Sequence, residues 1–340
     1  RFLPCKHPNL NPPLFLALGL PLTFLDAGPA WLVWSLVSLA CGVLALWRLW
    51  EAKRLPVQAP FAAVLFMAGF FAYFPTLASY LGGQVTLLLL LPLVNAWLAL
   101  RSGRNWAGGG WLGLAAGLKP FFTLFIVGLA ILRKGHAVAG FLLTLAGVAW
   151  AGGLVAGWYS YVDYYQALKA VSWQANITNA SLSGLMAVAA SHWPDSWPGD
   201  MLLAAAVLTQ WGSLAVLSLL VWRLRQVRQR GWARQADTLF VLTLPAMLML
   251  SPLGWLYYFP LLLVMALVIW EYRRSSRRWI YRSLLALALA VSSIPVTVIS
   301  TDVWQNQYAS AGVFGAEIYG CALLGCFLLA VRVTSGRQED

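Results

Sequence analysis

The sequence predicts an all-α polytopic membrane protein: about nine transmembrane helices with one short re-entrant helical hairpin among them. Three observations carry that reading. Of the 340 residues, 61% are hydrophobic and only 10% are charged, against roughly 45–50% and 25% in an ordinary soluble domain. Nine apolar runs are long enough, or nearly so, to cross a bilayer at about 20 residues per helix. The basic residues sit in short clusters between those runs, as topology signals do. The net charge of +12 therefore speaks for orientation in a membrane and not for nucleic acid. No length is left for a soluble domain, so residues 1–340 read as one integral membrane domain.

In chain order, an outer-face segment, 1–29, opens the sequence, and spans follow at 30–48, 60–79, 84–100, 137–157, 201–223, 238–253, 255–270, 283–300 and 312–331. Between Arg101/Arg104 and Arg133/Lys134 lies a further apolar stretch, 107–132, broken by Gly117-Leu118-Lys119-Pro120. As a single kinked span it would move 14 basic residues, from Arg133 onward, to the outside; as a hairpin it leaves 19 inside and only Arg1, Lys6, Lys119 and Lys169 elsewhere. The positive-inside rule selects the hairpin. Each arm of about a dozen residues rises ~18 Å in a hydrocarbon layer of ~30 Å, so its Lys119-Pro120 tip is expected to sit within the membrane. Residues 238–270 form a second short-armed hairpin, turning at Ser251-Pro252-Leu253-Gly254-Trp255. Irregular backbone at such depth needs protein or a wet cavity to satisfy it; two sunken tips predict one cavity opening outward. The outer loop 158–200 and the C-terminal spans to 332 complete the chain, with the tail 333–340 assigned to the cytoplasm. The chain begins at Arg1 without a basic, cleavable leader pattern, and a preceding segment is expected.

Lys119 is the sharpest candidate for function. A lysine in a hydrophobic stretch costs ~2.5–3.5 kcal/mol on insertion scales and is retained for a partner or a substrate, of which a phosphate is the natural one. The structural alternative is a lysine that snorkels or pairs with a carboxylate. Pro120 opens the second arm, where free N–H groups would add partial positive charge. Glu317 lies five residues into the last span, and Asp302 and Asp163 are loop carboxylates on the same face; for the first, hydrogen bonding to a neighbouring helix competes with catalysis, and for the other two, solvation does. His7, His136 and His192 are isolated and Cys5, Cys41, Cys321 and Cys326 lack zinc spacing, so neither a metal site nor a disulfide framework is indicated. Gly108-Gly109-Gly110 lacks a following Lys-Ser/Thr and reads as helix packing. The loop 158–200 is rich in aromatic residues, among them Trp158, Tyr159, Tyr161, Tyr164, Tyr165, Trp173, Trp193 and Trp197. They form either an interfacial belt or a platform for sugar faces and an isoprenoid tail. Asn176-Ile177-Thr178 and Asn179-Ala180-Ser181 match the glycosylation acceptor pattern, relevant only in a eukaryotic secretory pathway.

Several motifs in order resemble glycosyltransferase family 87, the polyprenyl-phosphate-mannose-dependent branch of the GT-C membrane transferases. Asn11-Pro12-Pro13 followed by Pro21-Leu22, the helix start Gly83-Gln84-Val85-Thr86, the hairpin from Gly113 to Lys119-Pro120 with Arg133-Lys134, the loop Asn179-Ala180-Ser181-Leu182-Ser183-Gly184, and Ser251-Pro252-Leu253-Gly254-Trp255-Leu256-Tyr257-Tyr258 carry the likeness. Together they cover residues 9 to about 265. The resemblance implies a GT-C-like bundle in a bacterial inner membrane. It implies an inverting transfer of a hexose, mannose by the family's pattern, from a polyprenyl-phosphate carrier to a glycan or glycolipid acceptor on the extracytoplasmic face, with no cofactor. Lys119, Tyr257 and Tyr258 would bind the donor phosphate, and Asn11, Gln84, Asn179, Ser181, Ser251 and Trp255 would line the substrate cavity. The family's catalytic aspartate belongs upstream of its first motif, so no residue from Arg1 onward inherits that role, leaving Glu317 and Asp302 as the weak candidates. Tyr257 and Tyr258 stand where the family carries paired histidines. Successive helical residues point ~100° apart, so one phenol is expected to face the cavity and its neighbour to pack.

A transporter or flippase of lipid-linked sugars would also use broken helices and a mid-membrane charge, although no repeated half is apparent. A polysaccharide polymerase or ligase would be expected to carry arginines in its large outer loop, and 158–200 contains none.

Overall fold

The computed structural model describes residues 10–171, 174–176, 178–191, 198–271, 278–295 and 310–335, and among these the regular structure is helical. The α-helices are α1 (Pro13–Gly19), α2 (Ala27–Glu51), α3 (Pro60–Ala72), α4 (Phe74–Leu81), α5 (Thr86–Arg101), α6 (Asn105–Leu118), α7 (Leu124–Ile131), α8 (Gly135–Ala156), α9 (Tyr159–Lys169), α10 (Leu182–Ser191), α11 (Pro198–Val227), α12 (Trp232–Leu250), α13 (Leu263–Glu271), α14 (Arg278–Ser292) and α15 (Ser310–Ser335). Short 3₁₀ turns cover Leu20–Phe24, Pro120–Thr123 and Leu256–Leu262. Four stretches, Ala27–Glu51, Gly135–Ala156, Leu203–Val227 and Glu317–Ser335, are each long and apolar enough to cross a membrane, and α3 with α4 makes a fifth, bent by 65°. Pro75 explains the bend, because its ring clashes with the carbonyl four residues back and offers no N–H. The other apolar helices, α5, α7, α13 and α14 among them, are shorter than a full crossing. Only 11% of the apolar stretch of α11 is buried inside the protein, with Leu203 and Trp211 about two-thirds exposed; such faces require a non-aqueous surrounding.

The core runs through α5 and α12. Trp97, Leu89, Leu93, Phe240, Leu244 and Leu248 are completely buried there. At one end these two helices are tied by Arg101, whose guanidinium meets both oxygens of Asp237 at 2.6 and 2.7 Å, while the Trp97 indole N–H donates to the same carboxylate at 2.9 Å.

The stretch 107–132 is a hairpin. Gly109 packs on Ala137, Gly113 on Phe141 and Gly117 on Val148, so the contacts climb α6 and α8 together and the two helices run parallel. A chain that leaves α6 at its top and enters α8 at its bottom must descend through α7. The approach requires glycine: a methyl on Gly109 would lie 1.9 Å from the Ala137 carbonyl oxygen. The basic connectors also gather at one end. Arg54 pairs with Glu271 at 3.3 Å, Lys134 lies over the Trp232 ring, Arg223 donates to the Val331 carbonyl and Arg282 to that of Trp270.

Candidate functional site

Both hairpin tips lie at the opposite end and face one cavity of about 860 Å³. At the first tip, Pro120 disfavours helical backbone at the residue before it. Lys119 is accordingly extended, with φ −144° and ψ 112°, and its N–H closes α6 on the Ala115 carbonyl. At the second tip, α12 ends at Leu250 and the chain turns through Ser251–Trp255 into the 3₁₀ segment Leu256–Leu262. A third segment is stitched to this turn by an isolated antiparallel bridge between Asn179 and Trp255, in which Ala180 N–H donates to the Gly254 carbonyl at 2.9 Å and Leu256 N–H to that of Thr178 at 2.8 Å. The described part of the segment 158–200 is thus packed beside the site, with α9 and α10 as its helices.

Lys119 lines the cavity while only 8% exposed. Its ammonium reaches the Leu10 carbonyl at 3.5 Å and lies 5.6 Å from the centre of the Tyr258 ring. No carboxylate among the described residues pairs with it, in contrast to Arg101, and the structural alternative of a lysine held by a carboxylate finds no partner there. Tyr257 and Tyr258 both line the cavity, their rings edge to face at 4.8 Å. Tyr258 is only 3% exposed and packs edge to face on Phe121, whereas Tyr257 is half-buried; both sit on a 3₁₀ turn whose backbone is anchored by the Thr86 hydroxyl, which donates to the Tyr257 carbonyl at 2.8 Å. Asn11, Gln84, Ser251 and Trp255 line the same cavity.

Asn179 and Ser181 do not line it. Both are fully buried, and all of the Asn179 side chain is engaged: its oxygen accepts from Gly254 N–H at 2.8 Å and Ser181 N–H at 3.2 Å, and its amide donates to the carbonyls of Gln174 and Pro252. The Ser181 hydroxyl accepts from Gly184 N–H. They hold the second tip in place and are positioning residues. Glu317 borders a separate apolar cavity between α14 and α15, and Asp163 is exposed and does not line the site. Asp302 lies outside the described residues. The cavity wall carries no carboxylate among the described residues.

Four wall residues come from the segment 158–200: Tyr164, Leu168, Val171 and Gln174. The first three follow helical spacing, which was the signal available in the sequence. Burial pushes the Tyr164 phenol up to about 12, so it remains a hydrogen-bond donor at neutral pH. With Leu124, Ile126, Val127, Met247 and Leu250 on the apolar side, the cavity combines a buried cation, several phenols and a greasy wall. It suits an anion attached to a hydrocarbon chain.

The sequence profile described as glycosyltransferase family 87 matches residues 9–252. The chain belongs to glycosyltransferase family 87. The part that matches the family includes the whole Lys119 hairpin, the Asn179 segment and the start of the second turn. A curated relative, the polyprenol-phosphate-mannose-dependent alpha-(1-2)-phosphatidylinositol pentamannoside mannosyltransferase of Mycobacterium tuberculosis (strain CDC 1551 / Oshkosh), is 27% identical over 274 residues, which are 77% of this chain and 58% of the relative. The matched part therefore spans little more than half the length of that relative. No solved structure matches the chain.

Proposed function

We propose that this family 87 chain is an inverting hexosyltransferase that moves mannose from a polyprenyl-phosphate carrier to a glycan or glycolipid acceptor, at the face opposite its basic loops. The observation that carries the reading is Lys119: a buried cation with no carboxylate partner among the described residues, facing a cavity lined by both polar and apolar side chains. The name of the mycobacterial relative supports the choice of donor. In this reading the isoprenoid chain lies against Leu124, Ile126, Val127 and Met247 while the phosphodiester reaches Lys119 and the paired phenols. The acceptor hydroxyl oxygen attacks the anomeric carbon opposite the phosphate. The bond from that carbon to the phosphate oxygen breaks, and its electron pair leaves with the carrier. The phosphate gains a negative charge in this step, and a preplaced ammonium and phenols in a water-poor site stabilise the transition state more than the ground state. The acceptor proton goes to a base outside the described cavity wall.

Transfer of radiolabelled mannose from a polyprenyl-phosphate donor by the purified protein in detergent tests this. Lys119→Ala is expected to lose about 10²- to 10³-fold in rate, the usual cost of one transition-state donor, with folding retained because removal of a buried charge does not disfavour insertion. Lys119→Arg keeps partial activity, its fork differing from a compact ammonium. Normal turnover by the alanine variant, or no sugar transfer by the wild-type protein, overturns the assignment.

A further inference from the structure

The end of the bundle opposite the donor cavity has a second concavity, of about 420 Å³, between the last turns of α2 and α5 and the first turn of α12. Arg48, Arg54, Arg101 and Arg104 line it, against a single lining carboxylate, Glu51. The four guanidiniums differ in how firmly they are held. Arg101 donates from Nη1 to both carboxylate oxygens of Asp237, and Arg54 meets Glu271 from behind the wall at 3.3 Å. Arg48 and Glu51 are neighbours on one helix at 3.4 Å and about half exposed, a pairing worth little in such surroundings. Arg104 donates only to the Ser102 hydroxyl, at 3.1 Å, and has no carboxylate partner among the described residues. Ala233, in the first turn of α12, adds the positive end of that helix to the wall.

The surface beside this recess decides what kind of anion it takes. Leu44, Trp47, Arg48 and Glu51 fall at i, i+3, i+4 and i+7 on α2 and share one face. Leu44 is 50% and Trp47 46% exposed, so an apolar strip leads from the lipid-facing side of α2 directly to the Arg48 guanidinium. Trp47 and Trp50 bring their rings to 5.0 Å at a tilt of 51° at this level, the position tryptophans favour at a membrane interface. A soluble anion would have no use for the strip.

We propose that the arginine recess binds the headgroup of an anionic phospholipid, with its phosphodiester on Arg48 and Arg104 and an acyl chain along Trp47 and Leu44. Planar guanidiniums suit phosphate oxygens bidentately, and basic pockets between helices at the cytoplasmic side are a recognised means of holding such headgroups. The proposal does not depend on the transfer chemistry at the other end.

Native mass spectrometry of the full chain in detergent, titrated with phosphatidylglycerol, phosphatidylcholine or inorganic phosphate, tests the assignment. The wild-type protein is expected to retain phosphatidylglycerol over phosphatidylcholine. Arg48→Gln with Arg104→Gln should weaken that retention about fivefold per arginine, or about twenty-fivefold together, while Arg225→Gln, at the same end but outside the recess, leaves it unchanged. Leu44→Asn provides a second reading that spares the arginines: it should weaken the phospholipid and leave phosphate binding as it was. Wild-type retention by the double arginine variant overturns the site. Equal uptake of inorganic phosphate with no preference for phosphatidylglycerol overturns the lipid and leaves a soluble anion as the ligand.

Discussion

Lys119 and Arg101 are both cations placed at the ends of helices, and their surroundings separate a functional charge from a structural one. Arg101 is gripped by Asp237 and stacked 5.1 Å from the Trp97 ring, which fixes α5 to α12. Lys119 is offered a backbone carbonyl and the ring of Tyr258, leaving its charge available to a ligand. The same logic extends to the two tyrosines beside it. A phenol that meets a charged phosphate contributes ~1.5–3 kcal/mol, so Tyr257→Phe and Tyr258→Phe, which remove only the hydroxyl, should each lower kcat/KM for the lipid donor roughly ten- to hundredfold. Steady-state kinetics in detergent would check it, and unchanged rates for both variants would show that the rings only fill space. Lys119 and the tyrosines were readable from the sequence because an intramembrane charge and an ordered set of turn motifs are local signals. How deeply each phenol is buried was not, because Tyr258 packs on Phe121, far away in the sequence, and no local pattern contains that contact.

At the scale of elements, the two hairpins were legible and the clasp that joins them was not. The Lys119 hairpin follows from counting basic residues, and Pro120 fixes where it turns. The clasp depends on Asn179 bonding a backbone N–H 75 residues away, a relation that no local pattern contains, and this is why Asn179 and Ser181 read as cavity residues. Asn179→Ala strips acceptors from the buried N–H groups of Gly254 and Ser181 and takes a donor from the Gln174 carbonyl, while the Pro252 carbonyl keeps the Ser183 hydroxyl. At ~1–3 kcal/mol for each unsatisfied buried group, the variant should lose several kcal/mol of stability. Asn179→Asp keeps the acceptor oxygen and should retain part of it. Thermal unfolding in detergent measures both, and an alanine variant as stable as the parent would mean that the clasp is dispensable. The wall residues Tyr164, Leu168 and Val171 were legible only as a helical face within an aromatic loop whose destination the sequence did not reveal.

Across the whole molecule, charge sorted the connectors before any contact was visible, and the contacts then drew those connectors to one end while the cavity formed at the other. The remaining question is which end meets the cytoplasm, and the basic end is expected to. In a background without Cys5, Cys41, Cys321 and Cys326, a cysteine at Lys169 should react with an impermeant maleimide added to intact cells, and one at Gln229 should react only after permeabilisation; the reverse pattern would invert the topology. Order of synthesis gives the Asn179–Trp255 bridge a further meaning. When the ribosome has delivered α6 to α10, Lys119 is already in place, yet the strand that clasps residues 178–180 is still unmade. The chamber therefore stays unroofed through the insertion of α11 and α12, and it closes only when the Ser251–Trp255 turn arrives.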